Sequence, residues 1–220
     1  MTDATVNTAP ITNTITTERL TLRHWRKGDA TEAQALYRYA SDPDIGIRCG
    51  WMPHQSVERS SEAIEKVLTG DENYAITLRG QDMPIGCIEL KKTEGSHGGQ
   101  YVREAIDGRR LMPGVDADDM ERALAGYGGD RTLGYWIGRP FWGQGLMSEA
   151  LEAMLARSFD VLGAQTVWGG HYVENPASGK VMQHWGMRPI CRKDNAYFPL
   201  IDRHYDYIIL AITKEQWERR

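Results

Sequence analysis

The stretch "RPFWGQGLMSEAL", Arg139 to Leu151, decides how this chain is read. An apolar run with two aromatics passes into Gly143-Gln144-Gly145, and a helical pattern starts at once. Leu146, Met147, Ala150, Leu151, Met154, Leu155 and Phe159 recur at helical spacing. The first N–H groups of a helix have no partner, and with the helix dipole they form an anion site. Glycine carries no Cβ, so a pyrophosphate can lie close against the chain. Three phosphate-binding patterns compete. A P-loop needs Lys after its last glycine, and Leu146 stands there. A dinucleotide fingerprint needs a third glycine early in the chain; here Ser148 stands in its place and the segment comes late. The third pattern is a coenzyme A cradle.

The flanks extend the reading. "TLGYWIG" ahead of the glycines reads as a strand, as does "AQTVWGGHYV" after a helix ending near Gly163. Strand, helix and strand from Thr132 to Val173 predict a parallel pair. "NPASGKVMQHWGM" reads as a further helix with Asn175 at its cap and Pro176 in its first turn. The chain closes on two strands joined by a polar loop within "RPICRKDNAYFPLIDRHYDYIILAIT". Upstream, "TERLTLRHW" (Thr17–Trp25) predicts a first strand. Asp29 and Ser56 are N-caps for two helices, the second stopping at Gly70. "NYAITLRG" and "MPIGCIELKK" predict an antiparallel hairpin. The order predicts an α/β domain on a mixed sheet. Residues 1–15 read as a flexible arm, and 16–220 as a single domain. Residues 93–131, rich in glycine and too long for a connection, read as an insertion with a short helix at "DADDMERALAG".

Composition narrows the partners. Hydrophobic residues make up 41% and charged residues 25%, and the formal net charge is -4. That is a globular composition without the basic surplus of a nucleic-acid binder. No apolar run approaches the roughly 20 residues that span a bilayer. Cys49, Cys87 and Cys191 form no CxxC and the histidines no ligand pair, so neither a metal site nor a disulfide framework is expected. The N-terminus lacks the features of a signal peptide, and a cytoplasmic setting is expected.

"LGYWIGRPFWGQGLMSEALEAML" resembles the cofactor-binding segment of the GNAT (Gcn5-related) N-acetyltransferases, nearest to the RimJ/RimL branch. "TERLTLRHW", "GWMPHQSVERSSEAI", "PIGCIEL", "ENPASGKVMQHWGM" and "HYDYIILAITKEQW" resemble that branch's other segments in the same order. The resemblance runs from Thr17 to Trp217, the insertion excepted. It implies the GNAT-type fold, a mixed and twisted sheet flanked by helices that splays open for acetyl-CoA. It implies direct acetyl transfer to an amine, either a protein N-terminus or a small molecule, with no metal. Gly143, Gln144, Gly145, Leu146, Met147 and Ser148 would carry the pyrophosphate, and Asn175 would lie near the pantetheine. The oxyanion donor would be the backbone of Trp136 or Ile137, on a strand bulged beside the cofactor. Two positions depart from the family pattern. Pro140 stands where the phosphate motif usually opens with Arg or Gln, and Met182 where many relatives carry a tyrosine acid.

The chemistry asks for a base to take the amine's proton and an acid for the departing thiolate. Ser178 is the candidate acid. Glu89, on "GCIEL" and two residues from Cys87, is the candidate base, against the plainer reading of a surface charge. Glu174 and His171 are lesser candidates for the same role. Glu149 reads as a first-turn charge, Cys87 as no nucleophile, and Arg109 and Arg110 as a surface pair within reach of a 3′-phosphate. Trp51, in a loop, is the candidate substrate wall. A non-catalytic acyl-CoA sensor and a transferase for longer acyl chains stay open as alternatives, and so do monomer and homodimer.

Overall fold

The structure is a computed structural model, and it describes residues 14–92, 104, 107, 111–115 and 130–220. Its first strands are short. β1 (Thr14–Thr16) and β2 (Leu20–Arg23) pair antiparallel across a turn in which the Thr17 N–H bonds the Leu20 carbonyl. The turn takes the first residues of the strand expected over Thr17–Trp25, which is shortened to Leu20–Arg23, and β1 takes in the last residues of the expected arm. α1 (Ala30–Ala40) starts where Asp29 accepts from the N–H groups of Thr31 and Glu32. α2 (Pro43–Gly46) leads into a 3-10 turn, Ile47–Cys49. α3 (Val57–Lys66) is capped by Ser56 and ends ahead of Gly70. β3 (Asn73–Leu78) and β4 (Pro84–Lys92) form the expected hairpin.

β5 (Arg131–Ile137), a 3-10 turn (Arg139–Phe141) and α4 (Leu146–Ala156) follow, and a π-helical turn (Arg157–Val161) extends α4 towards Gly163. β6 (Thr166–Tyr172), α5 (Pro176–His184), β7 (Arg188–Phe198) and β8 (Arg203–Thr213) complete the sheet. β7 runs to Phe198, and residues 199–202 join it to β8, the two closing strands that were expected. α6 (Lys214–Glu218) closes the chain behind a capping box of Thr213 and Gln216.

The sheet has 8 strands in the order β1-β2-β3-β4-β5-β6-β8-β7, and β5–β6 is its one parallel pair among the described residues. Central strands are covered on both faces, so alternate residues enter different cores. Tyr74 and Ile76 of β3 join Leu133, Ile137 and the apolar side of α4. Ala75, between them, joins Cys87 and the inner faces of α1 and α3.

Pairing along β5 is unequal on its two sides. Towards β4 the register runs one for one from Gly86–Ile137 to Lys92–Arg131. Towards β6 it comprises only Arg131–Val167 and Thr132–Trp168. Beyond Thr132 the sheet opens, as the resemblance implies. The expected bulge on β5 is absent from its pairing with β4. A register shift lies instead between β3 and β4, where Ile76 faces Gly86 and Thr77 faces Pro84, leaving Ile85 as the extra residue. Pro84 has no N–H to give the ladder, so the irregularity falls at its end.

Asp130 pins the vertex of the opening. Its carboxylate is 1% exposed and accepts from the Thr166 N–H (3.0 Å) and the Trp168 indole (3.1 Å) of β6. Glu104 and residues 111–115 of the insertion lie along β7. Leu111 bridges to Cys191, the Met112 N–H bonds the Ile190 carbonyl, and Leu111 and Val115 pack on a core around Trp168 and Ile209. Arg109, Arg110 and the expected helix at "DADDMERALAG" lie outside the described residues.

Candidate active site

The glycine loop sits where β5 hands over to α4, at the mouth of the opening. Gly143 and Gly145 both hold positive φ, at 71° and 74°, a backbone that other residues adopt only under strain. A Cβ at Gly143 would meet no atom within 4 Å, so its surface is bare. Gly145 is the N-cap of α4 and supplies no side-chain acceptor. The first-turn N–H groups of Leu146, Met147 and Ser148 therefore have no intrahelical partner. Leu146 and Met147 bury their side chains in the core, so they offer the loop backbone alone. Ser148 is turned outward from the loop, its hydroxyl accepting from the Trp185 indole at 2.8 Å. The Gln144 side chain folds back onto the Pro140 carbonyl.

A brace from the other end of the chain holds this loop. Glu149 accepts from the Thr17 hydroxyl (2.5 Å), the Arg19 N–H (2.7 Å) and the Arg19 Nε (2.6 Å). Arg19 Nη1 donates to the Gln144 carbonyl at 2.9 Å, and Nη2 lies 3.5 Å from where a Cβ on Gly145 would be. Burial opposes the charge on Glu149, but the Thr17 and Arg19 donors outweigh it and hold the carboxyl below its usual range. Glu149 is thus more than a first-turn charge. Arg19 brings a cation to the loop that Pro140 does not supply. Arg139 is engaged elsewhere, with Asp42 and Asp44.

On β5 the two candidate donors differ. The Gly138 N–H bonds Ile85 of β4, so antiparallel alternation also directs the N–H groups of Trp136 and Gly134 at β4. The N–H groups of Tyr135 and Ile137 face the opening. The Ile137 carbonyl, on the same side, accepts from the Trp142 indole at 2.8 Å. Trp136 as an oxyanion donor is thereby corrected: its amide is committed to the ladder, and its ring packs edge-on to Trp51, centroids 6.2 Å apart.

α5 begins on the far side of the opening. Asn175 occupies the cap position, yet its side chain makes no cap hydrogen bond. The Ser178 hydroxyl donates to the Tyr135 hydroxyl at 2.9 Å, and that hydroxyl donates to the Ser178 carbonyl, also at 2.9 Å. Met182 is 1% exposed and points into the core at Gly169. His171 is buried, with Nδ1 2.7 Å from the Tyr172 carbonyl and Nε2 against Gly179. Glu174 is exposed at the turn.

Glu89 and Cys87 do share a face, that of α1 and α3. The Glu89 carboxylate accepts from Asn73 Nδ2 at 2.7 Å and pairs with Lys91 at 2.7 Å, and Cys87 donates to Asn73 Oδ1 at 3.4 Å. Gly134 leaves it room, since a Cβ there would lie 3.0 Å from Glu89 Oε1. Opposite Gly134, Glu89 stands roughly 10 Å along the ladder from Ile137. It lines a cavity of about 370 Å³ with Gly70, Asp71, Lys91 and Arg131, at the end of β5 away from the glycine loop.

Aromatic rings wall the α1–α3 side of the opening. Trp51 packs on Trp136 and, at 5.4 Å, on His54. A Cβ at Gly50 would lie 3.1 Å from the Tyr172 hydroxyl, and Tyr172 stacks on Tyr205 (4.4 Å) and meets Phe198 edge-on (4.7 Å). Burial lowers the His54 pKa, and Arg59 adds to the effect.

A family model described as "Acetyltransferase (GNAT) domain" matches residues 19–188. The chain belongs to that family. Acetyltransferases of the GNAT family use acetyl-CoA, so the enzyme is an acetyl-CoA-dependent acyltransferase. Among curated proteins, an uncharacterized N-acetyltransferase, p20, of Bacillus licheniformis is 26% identical over 174 residues, which is 77% of this chain and 79% of that one. A GNAT-family acetyltransferase from Bacillus anthracis superposes with a TM-score of 0.67 at 20% identity, over 92% of this chain and 99% of that one. Spermidine N-acetyltransferase from Vibrio cholerae, solved with CoA and spermine, gives 0.65 at 15% identity over 92% and 99%. These structures share this GNAT fold. No helix among the described residues is long and apolar enough to cross a membrane.

The site fits CoA on its own geometry: a bare glycine loop, an uncapped helix start, and strand amides facing a gap in the sheet. Sequence reading missed Arg19, Tyr135, His54 and the Tyr172–Phe198–Tyr205 wall. Alternation of Tyr205 and Tyr207 on the last strand was a signal for part of that wall. The Arg19–Glu149 and Tyr135–Ser178 pairs join residues far apart in the chain and left no local signal.

Proposed function

We propose that this acetyltransferase moves the acetyl group of acetyl-CoA directly to a primary amine, either a protein N-terminus, as the RimJ/RimL resemblance suggests, or a small-molecule amine. One observation carries the reading: the β5–β6 ladder stops at Thr132, and beyond it the Tyr135 and Ile137 amides face a gap below an uncapped helix start. Acetyl-CoA supplies an activated acyl carbon and a thiol leaving group. The loop from Gly143 to Ser148 holds the pyrophosphate with main-chain N–H groups, each charged bond contributing about 1.5–3 kcal/mol. The Ile137 N–H meets the charge that develops on the carbonyl oxygen. The Asn175 side chain, unused as a cap, orients the pantetheine. Ser178 protonates sulfur. Glu89, fixed by Asn73 and Lys91, takes the amine's proton through water across the roughly 10 Å to Ile137. Trp51 and Tyr172 flank the acceptor.

The test is thiol release from acetyl-CoA by the purified chain over a panel of peptides, amino acids, polyamines and aminoglycosides, beside Gly145→Trp. Release dependent on one amine class, lost in the variant, is the expected result. Tight acetyl-CoA binding with no release from any amine would overturn the reading in favour of a non-catalytic sensor.

A further inference from the structure

Met182 fills the place of the family's tyrosine acid and is buried against Gly169, so no phenol reaches the opening from that point of α5. A phenol reaches α5 from the opposite direction. Tyr135 rises from β5 on the face shared with α4 and α5, between two residues, Leu133 and Ile137, that are themselves packed in the core. Its hydroxyl makes a two-bond clamp on a single residue, accepting from Ser178 Oγ and donating to the Ser178 carbonyl, both at 2.9 Å. The same residue's amide faces the opening, and its carbonyl has the Cys49 thiol at 3.8 Å.

We propose that Tyr135 is a positioning residue for thiolate departure: it aims the Ser178 hydroxyl and backs it with a hydrogen bond. The inference rests on the acetyltransferase reading of the site. In the resting state the Ser178 O–H is hydrogen-bonded to the Tyr135 oxygen. During transfer the amine nitrogen bonds the acyl carbon, and the C–S pair goes to sulfur. Sulfur takes the Ser178 proton as the Tyr135 O–H swings from the Ser178 carbonyl to hydrogen-bond Oγ, and Oγ regains a proton from solvent. The proton lost by the amine leaves by the base and returns through solvent to Ser178 Oγ, so the sum is amine plus thioester giving amide plus thiol. Burial keeps the Tyr135 phenol above its usual pKa, which suits a group that lends a hydrogen bond and does not ionise.

Two measurements test it, on Tyr135→Phe, Ser178→Ala and the double variant, each first shown by its melting curve to be folded. The first is the titration of the thiol of bound CoA by its ultraviolet thiolate absorbance, which requires no turnover. Donation to sulfur favours the thiolate, so the bound thiol titrates at higher pH in Ser178→Ala, with Tyr135→Phe shifted in the same direction by less. The second is kcat. Tyr135→Phe is expected to lower it about tenfold at unchanged acetyl-CoA KM, with no further loss when added to Ser178→Ala. A Tyr135→Phe thiol titration and kcat equal to those of wild type would overturn the proposal while leaving the acetyltransferase reading intact. Additive losses in the double variant would also overturn it, since the two hydroxyls would then act separately. If the parent chain turned over no amine, the reading itself would fail, and the thiol titration would still report on the clamp.

Discussion

The two strand-to-helix joints that border the opening are built on opposite plans. At β5–α4 the chain is stripped of side chains: glycines at positive φ, an uncapped helix start, and buried Leu146 and Met147. Its rigidity is imported from outside, through Glu149 and Arg19. At β6–α5 side chains face the opening: an Asn175 that does not cap its helix, and a Ser178 held by Tyr135. The difference suits the chemistry proposed for each. A diffuse anion is held well by several fixed backbone dipoles. A proton has to be delivered at one atom, and only a positioned side chain does that.

The comparison breaks most completely at the glycines. Gly145→Ala puts a Cβ on a residue at φ 74° and beside Arg19, and acetyl-CoA affinity is expected to fall about 10-fold or more, read by calorimetric titration. The corresponding change at the other joint, Asn175→Ala, removes no capping bond and should leave the melting temperature within about 2 °C while raising the acetyl-CoA KM.

Next in size is the imported brace. Arg19→Ala leaves Glu149 with the Thr17 hydroxyl and the residue 19 amide but takes the guanidinium from the loop. A loss of about fivefold in acetyl-CoA affinity is expected, with kcat at saturation unchanged. A fall in kcat at constant affinity would show that the two joints are not separable in this way.

The smallest effect on acetyl-CoA binding is expected at the vertex, where the readout is stability. Asp130 is buried, and burial pushes its carboxyl up to about 6 against the Trp168 and Thr166 donors. Its folded pKa stands above the unfolded value of about 4, so its contribution to stability is full below pH ~4 and is lost as pH rises through about 6. Asp130→Asn removes that titration. The variant's melting temperature relative to wild type should therefore rise between pH 4 and 7, by an amount equivalent to about 1–2 kcal/mol, measured by scanning calorimetry at several pH values. A constant difference across that range would mean that the carboxyl does not titrate there.

Much of the first joint was legible in the chain order. Glycines next to a helical period need only local geometry to be understood, and the caps at Asp29 and Ser56 were readable for the same reason. The second joint was legible in position but not in contact: Ser178 and Asn175 could be named, while the hydroxyl that holds Ser178 comes from another strand. Glu89 shows the limit from the other side. Period two correctly placed it beside Cys87, but its partners Asn73 and Lys91, and its distance from Ile137, depend on the register between strands.

By itself, then, the sequence determined what depends on near neighbours along the chain: most strands and helices, the parallel unit, the glycine loop at a helix start and the family. The tertiary structure alone decided which N–H groups face the opening, because that turns on a single residue of register and on the β5–β6 ladder ending at Thr132. It alone joined Arg19 to Glu149, and Tyr135 to Ser178, since a hydrogen bond between distant segments is fixed by packing and leaves no periodic trace in the chain.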